Sequence, residues 1–187
     1  MVQALDPKPD EVIVAHHPED ATGVAQLPVT LVPCLHRSLP RMLNAAINAA
    51  ESDWIQQCPL DDLLTTDALD VLNHIRPDTD LVIPGAVSLA TGNRWMGDFG
   101  TIWGPPSEYR MNHHAPIKKD LWKRVGGFAD EHWSDWGFFL RAAAAGCSPE
   151  YSDRVTLMFD DTHDGRYSNL GGEAANQEIR ELQESLR

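Results

Sequence analysis

Three acidic positions have the residue types and spacing for chemistry. Asp61 and Asp62 stand side by side where an apolar segment ends. Two adjacent carboxylates at the carboxyl end of a strand can hold Mg²⁺ or Mn²⁺ while a diphosphate supplies further oxygens. The same pair can instead be a helix-capping acid pair before Thr65, where Thr65 or Thr66 can also cap the next helix. Asp135 opens another apolar segment, and a helix dipole would favour its charge there. A carboxylate in that place can accept a proton from an alcohol, or serve only as an N-terminal helix acid. The order suggests a metal-binding pair followed by a later base.

These positions need elements to hold them. Residues 11–15 (Glu-Val-Ile-Val-Ala) form a β-branched run bounded by turn residues and read as a buried strand. Residues 28–32 look like a second strand. Ser38 can cap a helix with Pro40 in its first turn, and Leu43, Ala46, Ile47 and Ala50 fall on one face of it. Trp54 and Ile55 begin an extended piece that runs into the aspartate pair. The helix after Thr66 would bury Ala68, Leu69, Leu72 and Ile75, and Arg76-Pro77 ends it. Residues 81–83 read as a strand, and residues 91–107 as a long Gly-, Pro- and Trp-rich loop. A helix over 119–125 stops at Gly126-Gly127. Ser134 can cap the helix that carries Asp135 and ends near Gly146. Residues 154–159 alternate like a strand. Residues 173–187 form a helix with Ala175, Ile179, Leu182 and Leu186 in one stripe, which packs on its own domain. Strand and helix alternate, so the expected class is α/β with a mostly parallel sheet and one domain over 1–187.

Composition narrows the partners. The 187 residues suffice for one real core. The formal charge of −13, from 28 acids and 15 bases, argues against a nucleic-acid backbone or an anionic membrane surface. A single nucleotide is compatible if a metal and a few local bases neutralise it. No apolar run approaches the roughly 20 residues of a transmembrane span. The opening ten residues hold two prolines and two acids, unlike a signal peptide. Cys34, Cys58 and Cys147 show no CxxC spacing, so a reducing cytoplasm is expected, with Cys58 as a buried core thiol.

Taken together, residues 9–163 resemble a family-2-type glycosyltransferase with the GT-A fold. Residues 9–14 resemble the second strand of that family. Residues 43–55 resemble its "RN-x-G-I-x-x-A-x-G-x-W-I" helix and strand, with Asn44 on the family's asparagine. Residues 60–64 resemble the end of its DxDD metal motif. Val125-Gly126-Gly127-Phe128 matches its GGF segment, Asp135 falls on the aspartate of its "ED" pair, and Arg141 to Gly146 match the following R-x-x-x-x-G. The resemblance implies an α/β/α sandwich and transfer of a hexose from a nucleotide-sugar to the hydroxyl of a glycan or other acceptor, with inversion. Mn²⁺ or Mg²⁺ would sit on Asp61 or Asp62, and Asp135 would be the base. His163 is the positional candidate for a further metal or phosphate contact, or else a solvated turn residue. Arg166 and Tyr167 could reach phosphate or base, and Asn44 and His114 the donor. Adjacent residues on a strand point to opposite faces, so at most one of His113 and His114 should reach the site. Trp95, Trp103 and Trp133 are sugar-stacking candidates, or core plugs.

The sequence departs from that family in three places. Its first strand, which helps hold the nucleoside base, has no match, so the fold is expected to be N-terminally reduced. Other groups would then grip the base, or a second copy or partner chain would complete that part. The first acid of DxDD falls on Pro59, and the glutamate of "ED" is Ser134. These departures support an alternative: a non-catalytic GT-A-like module that binds a glycan, a nucleotide or a protein, docking through its C-terminal helix. A nucleotidyltransferase is a third reading, without the Gly-rich phosphate loop that class usually adds.

Overall fold

A computed structural model describes residues 4–23, 28–58, 62–159 and 172–187. Strands β1 (Ile13–His16) and β2 (Thr30–Pro33) pair in parallel as a small sheet. Helix α1 (Leu39–Ala49) packs on them. Then come β3 (Trp54–Ile55), β4 (Leu63–Leu64), β5 (Leu81–Ser88), β6 (Arg94–Met96) and β7 (Ile117–Lys118). Helices α2 (Lys119–Arg124) and α3 (Ser134–Ala144), strand β8 (Pro149–Phe159) and helix α4 (Gly172–Leu186) complete the order. The larger sheet runs β3-β7-β5-β8-β4, with β6 on the edge of β5. Its long pairing, β5 with β8, is parallel; the short pairings are antiparallel. The result is an α/β domain with a mixed sheet. None of the described helices is long and apolar enough to cross a membrane.

Local chemistry explains where elements exceed or miss the expected bounds. Strand β5 continues past Ile83 despite Pro84, which has no N–H for the ladder. The β5–β8 register shifts between Ile83 and Gly85 to accommodate it. Residues 68–74 form a 3₁₀ rather than an α-helix, so the buried row is Ala68 and Val71 at three-residue spacing. Leu69, Leu72 and Ile75 are only half-buried. Helix α2 stops where Gly126 and Gly127 take φ of +80° and +77°.

Ser38 does occupy the N-cap position of α1, but its hydroxyl caps nothing. It donates instead to Asp130 Oδ1 at 2.6 Å, beside Arg41 Nε, which donates to Asp130 Oδ2 at 2.9 Å. The two bonds tie the start of α1 to the loop before α3. Trp133, not Ser134, holds the N-cap position of α3. Cys58 is exposed, not a core thiol: the chain has left the sheet after β3.

The core lies between the larger sheet and the helices, with Leu81, Ile83, Ile117, Leu121, Phe138 and Leu140 fully buried in it. Side chains of this size contribute about 1.5–3 kcal/mol each on burial. Phe128 stacks on Phe138 at 4.6 Å between ring centroids. The stripe of α4 does pack on its own domain: Ala175 and Ile179 are buried, and Leu182 and Leu186 lie against the core. Gln183 fixes its position by donating to the carbonyls of Ile102 and Gly104 at 2.8 and 3.0 Å. That stripe is therefore covered, and is not a docking face.

Candidate functional site

The first cluster is built by a turn. Asn112 Oδ1 accepts from the His114 N–H at 3.0 Å, and its carbonyl accepts from the Ala115 N–H at 3.0 Å. This side-chain-to-backbone turn places His113 and His114 ahead of β7, not on a strand. The opposite-faces expectation therefore fails: the two rings lie side by side, with centroids 3.5 Å apart and planes tilted by 53°. Gln56, just past β3, donates to the His114 carbonyl and holds the turn against the neighbouring strand.

Asp62 meets this turn. His114 Nε2 lies 3.1 Å from Asp62 Oδ2, outside hydrogen-bond alignment. His114 is 1% exposed and Asp62 8%, whereas His113 is exposed. One ligand atom from each of the three residues lies within 4.8 Å of the others. Burial, with a smaller contribution from His113, holds the His114 pKa down to about 2, so its ring is neutral. The Asp62 carboxylate would favour the charged ring, but desolvation prevails. Neither ring nitrogen of His114 has a hydrogen-bond partner among the described residues. Such a buried orphan costs roughly 1–3 kcal/mol unless something satisfies it. A neutral imidazole with a lone pair to offer, a second imidazole and a carboxylate fit a divalent cation.

The second cluster surrounds Asp135, half-buried in the first turn of α3. Tyr109 donates its hydroxyl to Asp135 Oδ2 at 3.2 Å and stacks on Trp136 at 4.3 Å. Burial and the neighbouring Asp135 push the Tyr109 hydroxyl well above its ordinary value, so it stays a donor. The Trp136 indole in turn donates to the Ile102 carbonyl at 2.8 Å. Sequence reasoning missed Tyr109, because the contact spans 26 residues and nothing local signals it. The two clusters are linked along the chain. Tyr109 and His113 are four residues apart, which caps their Cα separation at about 14 Å.

Other expected residues frame the site. The side-chain amide of Asn44, expected to contact the donor, is taken up by α2 and the loop after it. Its Oδ1 accepts from Phe128 N and Trp122 Nε1 at 2.9 and 3.0 Å, and its Nδ2 donates to the Phe128 carbonyl at 2.7 Å. A Cβ on Gly127 would stand 2.7 Å from Asn44 Oδ1, so only glycine fits. Arg141 donates to Glu131 Oε1 at 2.7 Å, and Glu131 Oε2 lies where a Cβ on Gly137 would be. Trp103 and Trp133 pack against the core, and Trp95 is half-buried on β6. Pro59, Asp61, His163, Arg166 and Tyr167 lie outside the described residues.

The mixed sheet, the Gly126-Gly127 turn and helix α3 together define an α/β fold of the GT-A type. Crystal structures of S. aureus TarS share that fold. Residues 1–349 of TarS in complex with UDP match at a TM-score of 0.71 and 15% identity, covering 99% of this chain and 61% of that one. The same piece in complex with UDP-GlcNAc matches at 0.66 and 16%, covering 84% and 51%. TarS itself matches at 0.62 and 15%, covering 80% and 31%. The chain thus spans between about a third and three-fifths of these structures. No family model and no curated protein matches.

Proposed function

We propose that this domain is a cytoplasmic, metal-dependent, inverting glycosyltransferase that uses a nucleotide-sugar. The observation that supports it most is Asp135, held by Tyr109 at the start of α3, in a fold shared with TarS structures that contain UDP and UDP-GlcNAc. A uridine diphosphate sugar is therefore the first donor to try. Asp135 takes the proton of an acceptor hydroxyl of a glycan or similar molecule. The acceptor oxygen attacks the anomeric carbon, and the bond to the nucleoside diphosphate breaks with its electron pair going to the diphosphate. Asp61 or Asp62 would hold a divalent cation, which would supply neutralisation of the charge on the departing diphosphate. Tyr109 keeps the base oriented, and the frame of Asn44, Arg141 and Glu131 holds α3 in place.

Ser134 and Pro59, where the family resemblance has acids, favour a second reading: a non-catalytic module that binds the nucleotide without turnover. A thermal-shift screen of UDP, GDP, CDP and dTDP, each with and without Mn²⁺, separates the outcomes. A metal-dependent rise with one nucleotide supports a donor site and names its base. No rise with any of them overturns the transferase reading. Binding of a nucleotide without hydrolysis or transfer of the matching nucleotide-sugar selects the second.

A further inference from the structure

The corner where Asp62 meets the Asn112 turn has a chemistry that oxygen ligands alone would not require. We propose that Asp62, His113 and His114 bind one divalent transition-metal ion on a nitrogen-rich set, taking Mn²⁺, Co²⁺ or Zn²⁺ ahead of Mg²⁺. The inference deepens the transferase reading and rests on it for the phosphate partner, but not for the metal itself.

Three observations carry it. First, the turn brings both imidazoles to the same side, where a strand would have separated them. Second, His114 is 1% exposed, and both its ring nitrogens lack partners among the described residues. A core histidine in a finished hydrogen-bond network would not be left so. Third, the ligand atoms of Asp62, His113 and His114 all lie within 4.8 Å of one another. Ligands on one ion stand about 3–4 Å apart, given bonds of about 2.0–2.2 Å. The remaining closure falls to His113, whose exposed ring has room to turn. That exposed side also leaves coordination positions for water or phosphate. Two imidazoles suit cobalt and zinc, whereas Mg²⁺ demands oxygen ligands and gives up its water reluctantly. Manganese accepts both kinds.

The test uses metal-stripped protein without nucleotide. Calorimetric titration with Co²⁺, Zn²⁺, Mn²⁺ and Mg²⁺ should give one saturable site, with Co²⁺ and Zn²⁺ at least about tenfold tighter than Mg²⁺. The visible spectrum of the Co²⁺ form should report nitrogen ligation. His113→Ala should weaken Co²⁺ binding by about tenfold or more and leave the metal-free melting temperature unchanged, because the ring is exposed. Asp62→Asn and His114→Gln should act in the same direction, with folding checked by circular dichroism. The proposal is overturned if no ion binds one-to-one, if Mg²⁺ binds as tightly as Co²⁺, or if His113→Ala leaves Co²⁺ affinity within about twofold of the parent. A nucleotide shift supported equally by Mg²⁺ would sink the metal assignment and leave the transferase reading standing.

Discussion

Asn44 and Asn112 stand at two polar corners of this domain, and their side chains end in opposite conditions. Asn44 uses both ends of its amide in three hydrogen bonds to Phe128 and Trp122. Asn112 accepts one bond from the His114 N–H, while its Nδ2, though buried, has no partner among the described residues. Beside it, both His114 nitrogens are equally unmet. Buried polar groups are normally satisfied. A corner that meets this rule holds the fold together, while a corner that breaks it awaits something else. The comparison makes a sharp demand: variants in the first corner should lose stability, and variants of the site should lose ligand or turnover.

The largest expected effect is on Asp135. Asp135→Asn keeps the shape and the bond from Tyr109 but removes the proton acceptor. Turnover should fall by roughly 10²–10⁴-fold, with nucleotide affinity and melting temperature little changed. Steady-state kinetics with the nucleotide-sugar that the binding screen selects would show it. Full turnover in this variant would remove Asp135 from the chemistry.

Asn44→Ala comes next, and it tests the framing corner directly. It strands the Phe128 N–H and carbonyl and the Trp122 indole, which together cost about 3 kcal/mol. For a chain of this length, each kcal/mol lowers the melting temperature by roughly 2–4 °C. Nucleotide affinity measured well below that temperature should survive. A variant of normal stability that no longer binds nucleotide would reverse the assignment and return Asn44 to the donor site, where the family resemblance puts it.

Gly137→Ala should be milder, about 1–3 kcal/mol. The new methyl would fall 1.9 Å from Glu131 Oε2 and push that carboxylate off Arg141. Denaturant unfolding of Gly137→Ala with and without Glu131→Ala would show coupling. Strictly additive losses would mean that the carboxylate does not press on the helix.

The elements that the sequence made legible are those specified locally. The apolar face of α1, the stop of α2 at Gly126-Gly127 and the stripe of α4 follow from spacing within a dozen residues. The site was only half legible for the same reason. Asp135 at the start of α3 was readable, because the helix N-terminus is a local feature. The histidine turn was not: β7 is two residues long, so the preceding segment looked like strand, and Asn112 as its organiser could not be seen. Cys58, Tyr109 and the Glu131–Gly137 contact depend on where distant segments come to rest. The same holds for the 3₁₀ turn at 68–74, where packing against β8 overrides a spacing that suits an α-helix equally well.

Tyr109→Phe is the smallest perturbation, and it asks whether the Asp135 corner behaves as frame or as site. The ring and its stack on Trp136 stay, and only the hydroxyl bond to Asp135 is lost. Stability at neutral pH should drop by about 1 kcal/mol, and turnover by roughly tenfold if the bond orients the base. Alkaline pH gives an independent reading. The folded protein holds the Tyr109 proton above the ordinary value of 10.0, so above that pH the folded state binds more protons than the unfolded one. Stability must then fall as pH rises through and beyond about 10. The Phe variant should flatten that decline in a series of unfolding curves from neutral to alkaline pH. A decline of equal steepness in both proteins would mean that the hydroxyl ionises as it does in water, and that its bond to Asp135 does not hold in solution.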